Sequence, residues 1–490
     1  MPNAKIGKRV FASLTGMAAT TLPAAALPSP ASVRQAPKAP AAILMQVEEV
    51  SPFQQLGFQC LLVFLFLAYS RIFDVKFAFL HITGISYRLM FAMVILSRAF
   101  VPALKTNIGR AMLGFTICFA ASVPFSMWKG GSLPLFRDGW LTFSFVGFLA
   151  AAGLVTNYAQ ARKAISSLTW ALFVFVIIAN VFGSMDSGRL FLEQGKFANP
   201  NEMAQALLIG MPLWYAKLTD SGFGFKKLFA VGVMVLMLLT VFRTGSRGAM
   251  IAFVMMGLFM FLRGSVMAKM QMLLGLILLI GLVMAIMPGK LVSRYKTIAE
   301  DQVDDDEMDS RMRDSALNST QSRKALLRNS LLFTMRHPLF GVGPGMFVVA
   351  DNAEAQSRGL RKGQWLGTHN SYTQVSSELG IPALCFFVAA IMMSLKGTYQ
   401  LYKRTRGDPR TADIGNLALG LHYAMIIYAV SILFEHIAYT VMLPVFGGLC
   451  AVLVRTSEAE IAKRLSTPLY PELQAPAFRT YSPVEPMGTS

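Results

Sequence analysis

The stretch GTHNSYTQVSSELGIPALCFFVAA, residues 367–390, sets a His, an Asn, a Tyr and a Glu at the mouth of an apolar run. Apart from His337, His369 is the side chain of this region that titrates near neutral pH. With Thr368 or Asn370 as helix cap, it stands at a helix entrance, where the positive end of the helix favours the uncharged ring. A neutral imidazole can take a proton from an alcohol as a general base. The plainer alternative is an interfacial histidine hydrogen-bonded to backbone. Glu378 would be the natural orienting partner, yet nine residues of straight helix put it about 13 Å away and half a turn round. Pro382 removes the backbone bond to residue 378, so Glu378 is expected to stabilise the broken helix or a neighbouring arginine.

A second candidate stretch is VFRTGSRGAMIAF, residues 241–253. Thr244 and Gly245 make a turn and Ser246 is a good N-cap, which leaves Arg247 unexplained. A cation in the first turn of a helix opposes the macrodipole, at a cost of about 0.3 to 1 kcal/mol. The position becomes favourable when an anion binds, because free backbone N–H groups and a guanidinium can then grip one phosphate. Otherwise Arg247 simply reaches the lipid headgroups. Arg243, at the end of the preceding helix, suits the dipole and carries less information.

Three weaker signals complete the inventory. In KFANPNEMAQALL, Asn199 as cap, Pro200 at the first position and Glu202 form a capping-box pattern, a well-made helix start rather than a sugar-binding one. His436 with Glu435 in SILFEHIAYTV reads as structural. Asp304, Asp305 and Asp306 contain an Asp-x-Asp, but acidic runs in loops are usually solvated, so neither a metal nor a cofactor is expected.

The elements that must position these residues are apolar helices. Of 490 residues, 54% are hydrophobic and only 14% charged, too apolar for a water-soluble globule of this size. Runs long enough to cross about 30 Å of hydrocarbon recur near 53–71, 84–104, 110–127, 138–157, 165–184, 200–217, 226–243, 247–262, 268–287, 370–394, 414–435 and 437–454. The expected fold is all-α, a polytopic transmembrane bundle of about 12 spans. Cys60, Cys118, Cys385 and Cys450 lie inside these spans as packing residues, with no spacing for a disulfide or metal cluster.

The net charge of +19 is explained by placement. Alternate gaps collect Lys105 and Arg110, Arg162 and Lys163, Lys226 and Lys227, Arg263 and Lys269, and Lys403, Arg404, Arg406 and Arg410, which makes that side cytoplasmic. Both termini are then inside, and the basic excess reflects topology and membrane lipids, with no nucleic acid. Residues 1–50 read as an Ala/Pro-rich cytoplasmic tail, favoured over a diluted signal peptide, and 457–490 as a second tail. Between spans one to nine (51–288) and ten to twelve (369–456) lies one large outer loop, 289–368. Its first part is acidic without an apolar stripe. Its middle, QSRKALLRNSLLFTMRHP, reads as a basic amphipathic helix carrying Arg323 and Arg328, stopped by Pro338. LFGVGPGMF then supplies tight turns leading back to the membrane.

TGSRGAM at a span junction, QSRKALLRNSLLFTMRHPLFGVGPGMF in the outer loop and THNSYTQVSSELGIPAL at its end, in that order, resemble the bacterial O-antigen ligase and polymerase superfamily. The resemblance implies a glycosyltransferase of the inner membrane with its site on the periplasmic face. It would pass a glycan from undecaprenyl diphosphate to the hydroxyl of a sugar, a lipid A core or a protein, inverting the anomeric carbon without a metal. The family's arginine and histidine fall on Arg247 and His369, with a loop arginine at Arg323. Asn370, Tyr372, Glu378, Asn199 and Arg328 are supporting candidates. The competing class is a lipid-linked glycan flippase or transporter, which calls for charges near mid-span, where Arg88 is the main example.

Overall fold

Capping residues fix where several of the span helices begin. The computed structural model describes residues 51–186, 188–193, 199–219, 224–286, 310–360 and 363–466; both tails and the Asp304–Asp306 run lie outside them. Ser51 accepts from the backbone N–H of Gln54 and Pro52 opens the helix Pro52–Ser70. Thr106 does the same for Asn107–Ser122, Asn157 for Tyr158–Phe182 and Ser246 for Arg247–Arg263. Each cap satisfies an N–H that the helix itself leaves unpaired, worth about 1 kcal/mol.

Eight helices among the described residues are long and apolar enough to cross a membrane: Pro52–Ser70, Asn107–Phe125, Tyr158–Phe182, Phe225–Arg243, Val266–Val283, Ile381–Thr405, Ala412–Ser431 and Met442–Ser466. This is an all-α, polytopic bundle. The other expected spans are also helical. Ile82–Leu96 has 15 residues and Arg247–Arg263 has 17, Pro200–Thr219 carries Glu202, Gln205 and Lys217, and the run through residues 138–153 is wound as a π-helix over Leu135–Phe145 before Val146–Gly153. Small residues let helices close on one another, as van der Waals packing in lipid requires. At Gly448 a Cβ would meet the carbonyl oxygen of Phe148 at 3.1 Å, and at Gly420 that of Pro212 at 3.0 Å. All four cysteines are free thiols; Cys60 and Cys450 are buried, whereas Cys385 is exposed.

The expected tenth span is two helices. Ser371–Leu379 ends at Gly380, whose φ of 91° a side chain would resist, and Ile381–Thr405 starts afresh with Pro382 in its first turn. Pro382 therefore begins a helix rather than kinking one. In the outer loop, the amphipathic helix runs Ser310–Arg336, beginning inside the stretch read as acidic loop, where Arg, Met, Ala and Leu favour continuation of the helix. Leu326, Ser330 and Phe333 are buried while Lys324 and Arg328 are exposed. A shorter helix, Phe347–Ser357, follows the glycine turns. Before the sixth expected span, Ser184–Asp186 and Arg189–Phe191 pair as a small antiparallel hairpin.

Candidate active site

His369 is held by its neighbours in both directions along the chain. Its backbone adopts a left-handed φ of 50°, uncommon for a residue with a side chain and maintained only where surroundings enforce it. Asn370 then caps Ser371–Leu379, its side-chain oxygen accepting from the N–H of Tyr372 at 3.0 Å and of Thr373 at 3.1 Å. Ser371 fastens this corner to the link between the last two spans. Its N–H donates to the carbonyl of Ile432 at 2.8 Å, its hydroxyl donates to that of Glu435 at 2.7 Å, and the N–H of Ile437 donates back to the hydroxyl at 3.0 Å.

That fastening brings Glu435 and His436 beside His369. Donor atoms of the three side chains all lie within 4.8 Å of one another, and the two imidazoles meet edge to face with centroids 5.0 Å apart. The Nδ1 atoms of both rings have no hydrogen-bond partner. Gly367 leaves the room: a Cβ there would sit 2.6 Å from His436. Burial lowers the His369 pKa to about 4, with further lowering by His436 and Arg323. The ring is thus neutral as the helix-entrance argument expects, although the leading cause is desolvation. Burial also depresses His436, with Arg323 adding to it. Glu435 is pushed up to about 7 by burial, against the pull of Arg323.

The cations arrive from other elements. Arg323, half-buried on the loop helix, faces His369, Glu435 and His436 electrostatically, and its Nε has no hydrogen-bond partner. Arg247 opens its helix, and the adjacent Gly248 packs against Phe434, where a Cβ would come within 2.7 Å. The helix that Arg247 opens thus packs on the segment 432–436, whose Glu435 and His436 face Arg323 and lie beside His369. Arg189 donates to the carbonyl of Thr244 at 2.9 Å and to Asn201 at 2.6 Å, which ties the hairpin to the turn before Arg247. Arg243 donates to Asn180 at 2.6 Å. A divalent cation would find three donors at His369, Glu435 and His436, of a type that binds zinc, but the guanidinium of Arg323 opposes it.

Glu378 serves the scaffold. It is 4% exposed and accepts from the N–H of Gly345 at 2.9 Å, the N–H of Phe347 at 3.3 Å and the hydroxyl of Tyr439 at 2.8 Å. Among the described residues no arginine bonds to it. The carboxylate caps Phe347–Ser357 from a distance, at a helix start whose own cap residue makes no side-chain bond. Carbonyls freed by the break at Gly380 are used as well: Ser377 and Glu378 accept from the N–H groups of Val342 and Gly343, and Pro338 accepts from that of Ile381. Gly341, Gly343 and Gly345 all have positive φ, which makes these turns possible.

The remaining candidates lie elsewhere. Tyr372 donates to the carbonyl of Ala429 at 2.9 Å and packs on Phe387, joining helices. Asn199 is exposed and accepts from the N–H of Asn201 at 2.9 Å, a capping role. Arg328 is exposed, and among the described residues it makes no contact with the His369 cluster. Sequence reasoning ranked Glu435 too low; its signal was a lone carboxylate in an apolar run at a span mouth.

Residues 232–388 match the family model described as O-antigen ligase. The match supports the O-antigen ligase and polymerase superfamily for this chain. It begins in the helix before Arg247, takes in Arg323 and His369, and ends in the span after Gly380. The match takes in about a third of the chain, and with the bundle it supports a multi-pass membrane protein similar to O-antigen ligases. No curated protein matches the sequence.

Proposed function

We propose that this protein transfers a glycan from undecaprenyl diphosphate to an acceptor hydroxyl at the periplasmic face of the bacterial inner membrane, with both termini in the cytoplasm. One observation carries the reading: the helix that Arg247 opens, the loop helix that carries Arg323 and the corner that carries His369 converge on the same short segment, 432–436. A diphosphate leaving as an anion needs fixed positive charge where the negative charge develops. Arg247, at its helix start, and Arg323 supply it. His369, neutral at pH 7, takes the acceptor's proton. The acceptor oxygen attacks the anomeric carbon, the bond to the diphosphate oxygen breaks with its electron pair, and the configuration inverts.

A lipid donor also needs an apolar surface for its chain. A cavity of about 610 Å³ with almost wholly apolar walls, among them Met211, Leu238, Phe253, Gly257 and Leu276, runs beside Arg247–Arg263. It supports a donor whose head lies at Arg247 and whose tail stays in the bilayer. A flippase would carry charges along mid-span; Arg88 is exposed, with its guanidinium folded back to within 3.9 Å of the Cβ position of Gly84.

The test is purified protein in lipid nanodiscs with an undecaprenyl-diphosphate glycan and each acceptor class. Chain growth indicates a polymerase, a single transfer to lipid A core a ligase, and transfer to protein the third option. Movement of the lipid-linked glycan across the bilayer with no sugar transfer sinks the reading.

A further inference from the structure

Glu435 is 6% exposed, and among the described residues its carboxylate makes no hydrogen bond. Leaving a buried acid unsatisfied lowers stability. Its backbone is nevertheless pinned in place: Ser371 holds its carbonyl, and Gln374 accepts from the N–H of Ala438 at 3.3 Å. The acid is thus fixed within 4.8 Å of a donor atom on His369, and His436 packs edge-on against the same ring. Such an arrangement makes sense where charge arrives during a reaction.

We propose that Glu435 is a positioning residue for His369, setting the orientation of the ring and balancing the positive charge it gains on taking the acceptor's proton. This rests on the transfer reaction proposed above. In that step the acceptor O–H bond breaks, its proton goes to His369, the new glycosidic C–O bond forms and the diphosphate departs with the electron pair of the old one. The carboxylate stays ionised beside the imidazolium until the proton leaves for water. Arg323 and His436 also face His369, and Arg323, Arg189 and Glu202 face Glu435, so the acid is the nearby group that favours a charged His369. A bound divalent cation is the alternative use of the same donors. Arg323, facing all three, favours the proton.

The experiment compares wild type, Glu435→Gln and Glu435→Asp in nanodiscs, measuring kcat, donor KM and their pH dependence, with melting temperature as folding control. The Gln variant is expected to lose about 10- to 100-fold in kcat at unchanged donor KM, with its acid limb moved to lower pH because the imidazolium has lost its counter-charge. The Asp variant should keep the limb and part of the rate. A Gln variant with wild-type kcat and limb overturns the inference, and so do equal losses in both variants with the limb unmoved. Should the Gln variant not fold, Asp must lower kcat at unchanged donor KM; an Asp variant of wild-type kcat is then the contrary result. Loss of wild-type activity with a chelator, restored by zinc, would replace the proton by a metal. If wild type transfers nothing with any acceptor, the proposed function fails before the variants are compared.

Discussion

Two buried glutamates stand on either side of the His369 corner, and both are pushed up to about 7 by burial. Glu378 has two backbone N–H groups and the Tyr439 hydroxyl on its carboxylate. Glu435 has none of these and faces two imidazoles and a guanidinium instead. Burial alone does not tell a structural acid from one available for chemistry; the number of hydrogen bonds it already makes does.

The largest expected effect lies on the Glu435 side. His369→Ala should cut transfer about 10²- to 10⁴-fold with an unchanged melting curve; near-wild-type turnover would remove the base from the mechanism. Arg247→Ala should follow at about 10²- to 10³-fold, read in kcat for the same donor. The pH profile sharpens the contrast. Because His369 stays neutral down to about 4, protonation of the base should cut kcat/KM only near pH 4, whereas protonation of Glu435, pushed up to about 7 by burial, should give a partial earlier decline that disappears in Glu435→Gln; a limb centred near 6.5 that persists in Glu435→Gln would contradict the desolvated site. The sign for stability follows the same ring. Its contribution is complete above the ordinary histidine value of about 6.5 and is lost as pH falls through about 4.

On the Glu378 side the expected losses are in stability. Glu378→Gln replaces one accepting oxygen by a donor, leaves an N–H or hydroxyl of the glycine turn unmatched, and should cost about 1 to 3 kcal/mol, measured by thermal unfolding in detergent. Glu435→Gln should cost nothing or raise the melting temperature, since it removes an unsatisfied charge. Equal destabilisation by the two substitutions would erase the distinction between them. Arg328→Ala, at an exposed site, should change stability by less than about 0.5 kcal/mol and leave transfer unchanged.

Much of this was legible from residue types. Apolar length placed helix within the expected spans, although eight are long and apolar enough to cross a membrane and the tenth is two helices, and the N-caps Ser246 and Asn370 stood where their side chains predicted. Arg247 and His369 drew attention because a cation, or a titratable ring, at a helix mouth needs a reason, and the structure places both at helix starts. The division at Gly380 was not, because Pro382 drew attention two residues too late and nothing local reveals the φ of a glycine. The partners of Glu378 were hidden for a different reason: they come from Gly345 and Phe347, more than thirty residues earlier, and no helical periodicity reaches that far. Glu435 was undervalued because its company, His369, lies 66 positions away in the chain.

The return leg of the outer loop has a mechanical consequence. Residues 338–347 exchange hydrogen bonds with both halves of the interrupted helix, from Pro338 onto Ile381 to Phe347 onto Glu378, and Met127 donates to Val342 from a third side at 3.0 Å. That leg cannot swing as a flap; it travels with the bundle as one stiff piece. A stiff return leg of this kind keeps the corner at His369 in fixed register with the interrupted helix behind it.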